Sequence, residues 1–229
     1  LFILFIVLLL VNFSLSATAQ KDKINKKIYA HYPLDGNLFD QGPYQLNGED
    51  LDEERGTEDR FGNKNSALFF TEKDDSVTLP VNINPTKMPQ LTVAFWLKID
   101  KISETITLFT NSDGGFARSI VIDNRSKRPL LSVSAGSKNV YGGISIPLNE
   151  WIFAAVSWNE ETGSVSLYLA DQNRNFSSIS TNNINPQVAD EFIRLAENQA
   201  AEEFFQFSLD ELMIWDRILT INEIREVAF

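Results

Sequence analysis

The chain has 229 residues and a formal net charge of −11 at pH 7, with 31 Asp and Glu against 20 Lys and Arg. This acidic balance argues against nucleic acid and anionic lipid as partners, because both would be repelled. A hydrophobic content of 43%, with 17 Phe and 4 Trp, suffices for a large packed core and excludes a disordered chain. Since the chain contains no Cys, its fold depends on this core and not on disulfides.

The first residues have the composition of a targeting segment. Residues 1–15 are almost wholly apolar and are followed by small residues at Ala17 and Ala19. This pattern predicts a cleaved signal peptide at residues 1–19 and a flexible polar lead-in at residues 20–27. The alternative is an uncleaved anchor, but two polar residues shorten the run below the ~20 apolar residues that span a bilayer. We therefore expect a secreted or cell-envelope protein, periplasmic or at the outer surface and bacterial, that does not insert into a membrane after cleavage.

From residue 28 onward, short apolar runs alternate with turn signals, as in an antiparallel β-sandwich. The segment from Gln90 to Asp100 is the clearest strand, because its apolar residues alternate and leave Trp96 on the opposite, more polar face. Further strands are predicted at residues 66–70, 76–79, 105–109, 119–122, 130–134, 140–146, 151–158 and 164–169. Residues 192–195 could form a helix or a strand, and a strand followed by a loop is favoured. Residues 28–229 are therefore predicted to form one all-β domain.

The segment 204–227 combines a strand with the start of a helix. Apolar residues alternate along the strand and predict one buried face. These residues are Phe205, Phe207, Leu209, Met213 and Trp215. The pair Asp210 and Glu211 interrupts the strand, and a buried carboxylate is costly unless a cation or hydrogen-bond donors compensate it. Asp210 is therefore the first candidate for a functional residue. Thr220 and Glu223 have the spacing of a capping box, which predicts a short C-terminal helix.

Four segments in this order resemble the laminin G-like jelly roll of the concanavalin A-like lectin/glucanase superfamily, a type that includes pentraxins. They are HYPLDGN at 31–37 with its following loop, LTVAFWL at 91–97, WIFAAVSW at 151–158 and SLDELMIWDR at 208–217. The resemblance covers nearly all of residues 28–229. It implies two antiparallel sheets in a jelly-roll sandwich, followed by the short helix.

The resemblance also implies a structural calcium ion between the opening loop and the closing strand. Ca²⁺ takes six to eight oxygen ligands from carboxylates, amide side chains and backbone carbonyls. The residues at the matching positions are Asp40, Asn47 and Asp210, with backbone carbonyls near Gly42. The alternative is that Asp210 accepts hydrogen bonds from loop amides and binds no metal.

The sequence offers no recognisable catalytic site. Retaining glycosidases of the superfamily that this chain resembles carry E-x-D-x-x-E on one strand, because two carboxylates must flank the glycosidic bond. No such alternation occurs, and the adjacent Asp210 and Glu211 would point to opposite faces of a strand. The single His31 is more typical of a structural residue than of a base. The acidic stretch from Glu49 to Asp59 lacks the spacing of an EF-hand and is interpreted as a solvated loop.

Aromatic side chains can stack on the apolar face of a sugar, and Trp96 and Tyr141 are the candidates for such a platform; the alternative is that they fill the core. The leading hypothesis is a non-catalytic binding domain for a glycan or for an extracellular or envelope protein. The second hypothesis is a polysaccharide hydrolase on the same fold, and the third is a surface adhesion or scaffold component.

Overall fold

The structure is a computed structural model. It describes residues 24, 27–49, 51, 55–71, 75–103, 105–112, 117–135, 138–182, 184–197 and 205–229, with the backbone alone for 135 and 138–143. The predicted signal peptide and most of the predicted lead-in lie outside these residues. Among the residues that are described, no helix combines the length and the apolar character needed to cross a bilayer.

Two antiparallel sheets form a sandwich, as predicted. Within the described residues the larger sheet has eight strands, namely β1 (Ala30–Tyr32), β2 (Gly56–Thr57), β3 (Ala67–Phe70), β5 (Gln90–Ile102), β10 (Trp151–Asn159), β11 (Ser164–Asp171), β12 (Phe176–Asn182) and β14 (Phe205–Trp215). The smaller sheet has six strands in the part of the chain that the structure describes, namely β4 (Val77–Leu79), β6 (Ile106–Thr110), β7 (Arg118–Asp123), β8 (Leu130–Ala135), β9 (Lys138–Ser145) and β13 (Ile193–Leu195). In the larger sheet the order is β12-β11-β10-β5-β14-β3-β2, and β1 also pairs with β14.

The main core lies between the two sheets. The predicted alternation of β5 is confirmed, since Val93, Phe95 and Leu97 are buried in the same cluster as Ile120 and Val133 of the smaller sheet. Burying one such side chain completely stabilises the fold by about 1.5–3 kcal/mol. The sandwich therefore holds together without disulfides.

A second apolar cluster covers the outer face of the larger sheet. It joins Trp96, Phe153 and Trp215 to Ile224 of the helix α1 (Ile221–Ala228). The predicted capping box is present. The Thr220 side chain accepts a hydrogen bond from the backbone N–H of Glu223, and the Glu223 carboxylate accepts one from the backbone N–H of Thr220. Helix α1 therefore packs on the outside of the sandwich, and its last turn reaches the site described below.

In the second half of strand β14, the side chains point to the opposite faces of the sheet from those that the sequence predicts. The strand is irregular between Asp210 and Met213, and Glu211 has a φ of 55°, in the left-handed region. The inserted residue shifts the alternation, so Leu212 and Ile214 join the core between the sheets. Met213 and Trp215 lie instead in the outer cluster. The prediction that they share a face with Phe205, Phe207 and Leu209 was therefore wrong.

Candidate functional site

Asp40 organises the opening loop through backbone hydrogen bonds. Its Oδ1 accepts from the N–H groups of His31 (2.8 Å) and Gly42 (2.7 Å), and its Oδ2 accepts from that of Leu46 (2.8 Å). The Oδ1 of Asn47 accepts from the backbone N–H of Asp40 at 2.9 Å. Gly42 is required here, because an added Cβ would lie 2.8 Å from the Asp40 Oδ1.

Asp210 is buried and its charge is compensated by a guanidinium. Only 2% of the residue is exposed, and its Oδ2 accepts a hydrogen bond from the Nη1 of Arg60. Burial raises the pKa of Asp210 to about 7, although Arg60 opposes this shift. The Cζ of Arg60 in turn lies 4.9 Å from the ring centroid of Trp96 and 4.4 Å from that of Phe61. The predicted need for a partner of Asp210 is thus met by an arginine.

These contacts bear on the expected calcium ion. Both oxygens of Asp40 accept backbone N–H groups, and Asp210 faces a positive charge. Within the described part of the chain, no three His, Asp or Glu side chains are grouped so that they could hold a metal ion. The expected set has only two carboxylates beside Asn47 and backbone carbonyls, so calcium binding at Asp40, Asn47 and Asp210 stays a prediction.

The two candidate aromatic platforms have different outcomes. Trp96 is only 4% exposed, packs edge-on against Phe153 at 5.7 Å between ring centroids, and has Arg60 over its ring. Trp96 is therefore part of the wall of a cavity and not a free platform on which a sugar could stack. For Tyr141 the structure gives the backbone within β9 alone, so its ligand role is a prediction that stays open to experiment.

A cavity of about 390 Å³ lies beside Trp96 on the outer face of the larger sheet. The described part of its wall combines arginine, amide and aromatic side chains with the last turn of α1. These side chains belong to Arg60, Phe61, Trp96, Gln172, Arg174 and Phe229. Phe61 is 74% exposed and stands at the rim. Among the described residues, no Asp or Glu lines this cavity.

The two cavity arginines are presented by turns of the same design. In each turn an Asp accepts from the backbone N–H and the side-chain amide of the Asn four residues later. Between Asp59 and Asn63 both hydrogen bonds are 2.8 Å long. Between Asp171 and Asn175 the bond to the backbone N–H is 2.9 Å long and the bond to the side-chain amide is 2.7 Å long. Sequence reasoning missed Arg60 and Arg174, although the repeated D-x-x-x-N pattern with an Arg inside it was a visible signal.

The fold is similar to those of botulinum neurotoxin binding domains. For the serotype D binding domain the TM-score is 0.65 at 16% identity, over 90% of this chain and 52% of that chain. For the serotype D ligand binding domain in complex with N-acetylneuraminic acid, the TM-score is 0.66 at 17% identity, over 91% of this chain and 52% of that chain. For the neurotoxin DC binding domain in complex with rat synaptotagmin II, the TM-score is 0.65 at 15% identity, over 89% of this chain and 51% of that chain. The chain thus spans about half the length of these proteins, and the likeness concerns the fold.

No curated protein matches the sequence significantly. A family model of the laminin G type, described as the concanavalin A-like lectin/glucanases superfamily, matches residues 71–225. The match covers more than half of the 229 residues and runs from β4 into α1. It agrees with the resemblance of the four sequence segments and with the two antiparallel sheets. The chain therefore belongs to the concanavalin A-like lectin/glucanases superfamily.

Proposed function

We propose that the protein is a non-catalytic domain that binds carbohydrate in the cavity beside Trp96. The observation that carries the proposal is the cavity itself. Its volume of about 390 Å³ falls in the ~300–1,000 Å³ range of small-molecule sites. The exposed ring of Phe61 provides an apolar surface on which a pyranose can stack, and Gln172 and Arg174 provide donors for sugar hydroxyls.

The arrangement of carboxylates supports binding over hydrolysis. A glycosidase needs two carboxyl groups across the scissile bond, about 5–5.5 Å apart in retaining enzymes. The described cavity wall contains none. Asp210 contacts Arg60 instead, and the adjacent Glu211 contacts the Nε2 of His31 at 2.5 Å. Neither carboxylate is therefore placed as an acid or a nucleophile toward a sugar in this cavity.

Export to the cell envelope or beyond is part of the proposal. It is supported by the apolar residues 1–15 with their small-residue cleavage pattern. The acidic charge of −11 suits a neutral or weakly charged glycan better than a polyanion. An extracellular or envelope protein is the alternative partner.

A glycan array probed with the purified protein tests the proposal. We expect reproducible binding to a restricted set of glycans, with no release of shorter sugars during prolonged incubation. A Phe61→Ala variant should weaken that binding, whereas Phe39→Ala, at another ring that is 55% exposed, should leave it unchanged. Turnover of a polysaccharide would contradict the non-catalytic proposal. A blank array beside a reproducible protein partner would contradict carbohydrate binding and favour the adhesion or scaffold role.

A further inference from the structure

Among the described residues, the guanidinium groups of Arg60 and Arg174 line the cavity, and they differ in their partners. Arg60 donates a hydrogen bond to the buried carboxyl group of Asp210, so it already has an acidic partner within the protein. Arg174 lies over the ring of Phe229, with its Cζ 5.0 Å from the ring centroid. No carboxylate among the residues that the structure describes pairs with Arg174.

The acid that is nearest to Arg174 in sequence is already engaged. Asp171 directs one oxygen to the backbone N–H of Asn175 and the other to the Asn175 side chain. These bonds lower the pKa of Asp171 and keep its carboxylate within the turn. The backbone N–H of Arg174 donates to the Asp171 carbonyl at 3.0 Å, and its φ is 64°. The turn thus fixes the arginine backbone at the cavity without neutralising its side chain.

We propose that Arg174 receives the carboxylate of an acidic sugar residue, of the uronic acid or sialic acid kind. This inference rests on the proposed carbohydrate binding and names its ligand class. A guanidinium presents paired donors that match a carboxylate in a bidentate contact. The positive charge of Arg174, which has no carboxylate partner among the described residues, suits a sugar with one negative charge, whereas the acidic domain as a whole repels polyanions. The rings of Phe61 and Phe229 would pack against the apolar face of the same sugar.

The direct test compares one sugar with and without its negative charge. The methyl glycosides of glucuronic acid and N-acetylneuraminic acid are titrated calorimetrically into the full chain, each beside its methyl ester. We expect at least one free acid to bind about 10-fold more tightly than its ester, as for a charge-assisted hydrogen bond. The difference should shrink as salt is added.

Variants assign this difference to one side chain. Arg174→Gln should abolish the difference in affinity between the acid and its ester, while Arg174→Lys should retain part of that difference. Arg225→Gln is the matched control, because Arg225 also lies over a ring, that of Phe176 at 4.8 Å, but does not line the cavity. The urea unfolding midpoint of every variant shows whether it is folded.

The outcomes separate this inference from the function on which it rests. If neutral glycans bind but neither acid exceeds its ester, carbohydrate binding stands and the role of Arg174 is overturned. An acid preference that survives in the folded Arg174→Gln variant also overturns it. If no glycan binds at all, the proposed function and the inference fall together.

Discussion

Asp210 shows how a single charged residue is accommodated inside this sandwich. Its register partner on β5 is Trp96, so it lies on the outer face beneath the arginine that covers that ring. The sequence indicated that a buried carboxylate needs compensation, but it could not identify Arg60, which is 150 positions away. The expected partner was the opening loop, whose Asp40 instead binds backbone amides of that loop and of β1.

The raised pKa of Asp210 gives a prediction about stability. Its pKa is about 7 in the folded protein and 3.8 ordinarily, so the folded state binds the extra proton between these values. The contribution of this group to the free energy of unfolding therefore falls as pH rises from about 4 to 7, with a slope of at most about 1.4 kcal/mol per pH unit. The Asp210→Asn variant lacks this titration and should gain stability relative to the wild type over that window.

Urea unfolding of both proteins at pH 4.5 and pH 8 measures this effect, because the other titrating groups cancel in the difference. The assignment would be contradicted if the difference in the free energy of unfolding between variant and wild type were the same at both pH values. It would also be contradicted if the wild type became more stable relative to the variant as pH rises.

Individual strands were predictable where apolar residues alternate along the face that points to the core between the sheets. Strand β5 is the clearest case, because its inward residues alternate without interruption. Strand β12 was missed, since its sequence FSSISTN is polar and mostly exposed, and it is held at the sheet edge by pairing with β11. The irregularity in β14 was missed for another reason. An inserted residue at Glu211 is not visible in an apolar pattern that continues on both sides.

The helix α1 gives a prediction at the scale of one element. Thr220→Ala removes the side chain that caps the helix and should lower the free energy of unfolding by about 1 kcal/mol. Thr220→Ser keeps the hydroxyl and should retain most of the stability. Because the last turn of α1 lines the cavity, glycan affinity should weaken in the alanine variant at temperatures near its melting point. Equal unfolding midpoints for the alanine variant and the wild type would show that the cap does not stabilise the domain.

At the scale of the whole molecule, the family and the two-sheet architecture could be predicted, because four segments carry family patterns in the right order. The cavity could not be predicted in this way. It is assembled from the turn at 59–63, strand β5, the turn at 171–175 and the end of α1. Those pieces are far apart in sequence, and only the packing of α1 and the turns on the outer face of the larger sheet brings them together.

A crystal structure of the protein with a bound acidic sugar tests the central claim most directly. The account predicts that the sugar occupies the cavity beside Trp96, with its ring against Phe61 and its carboxylate about 2.8 Å from the Arg174 guanidinium. A sugar bound instead on the smaller sheet or its loops, with the cavity empty, would contradict it.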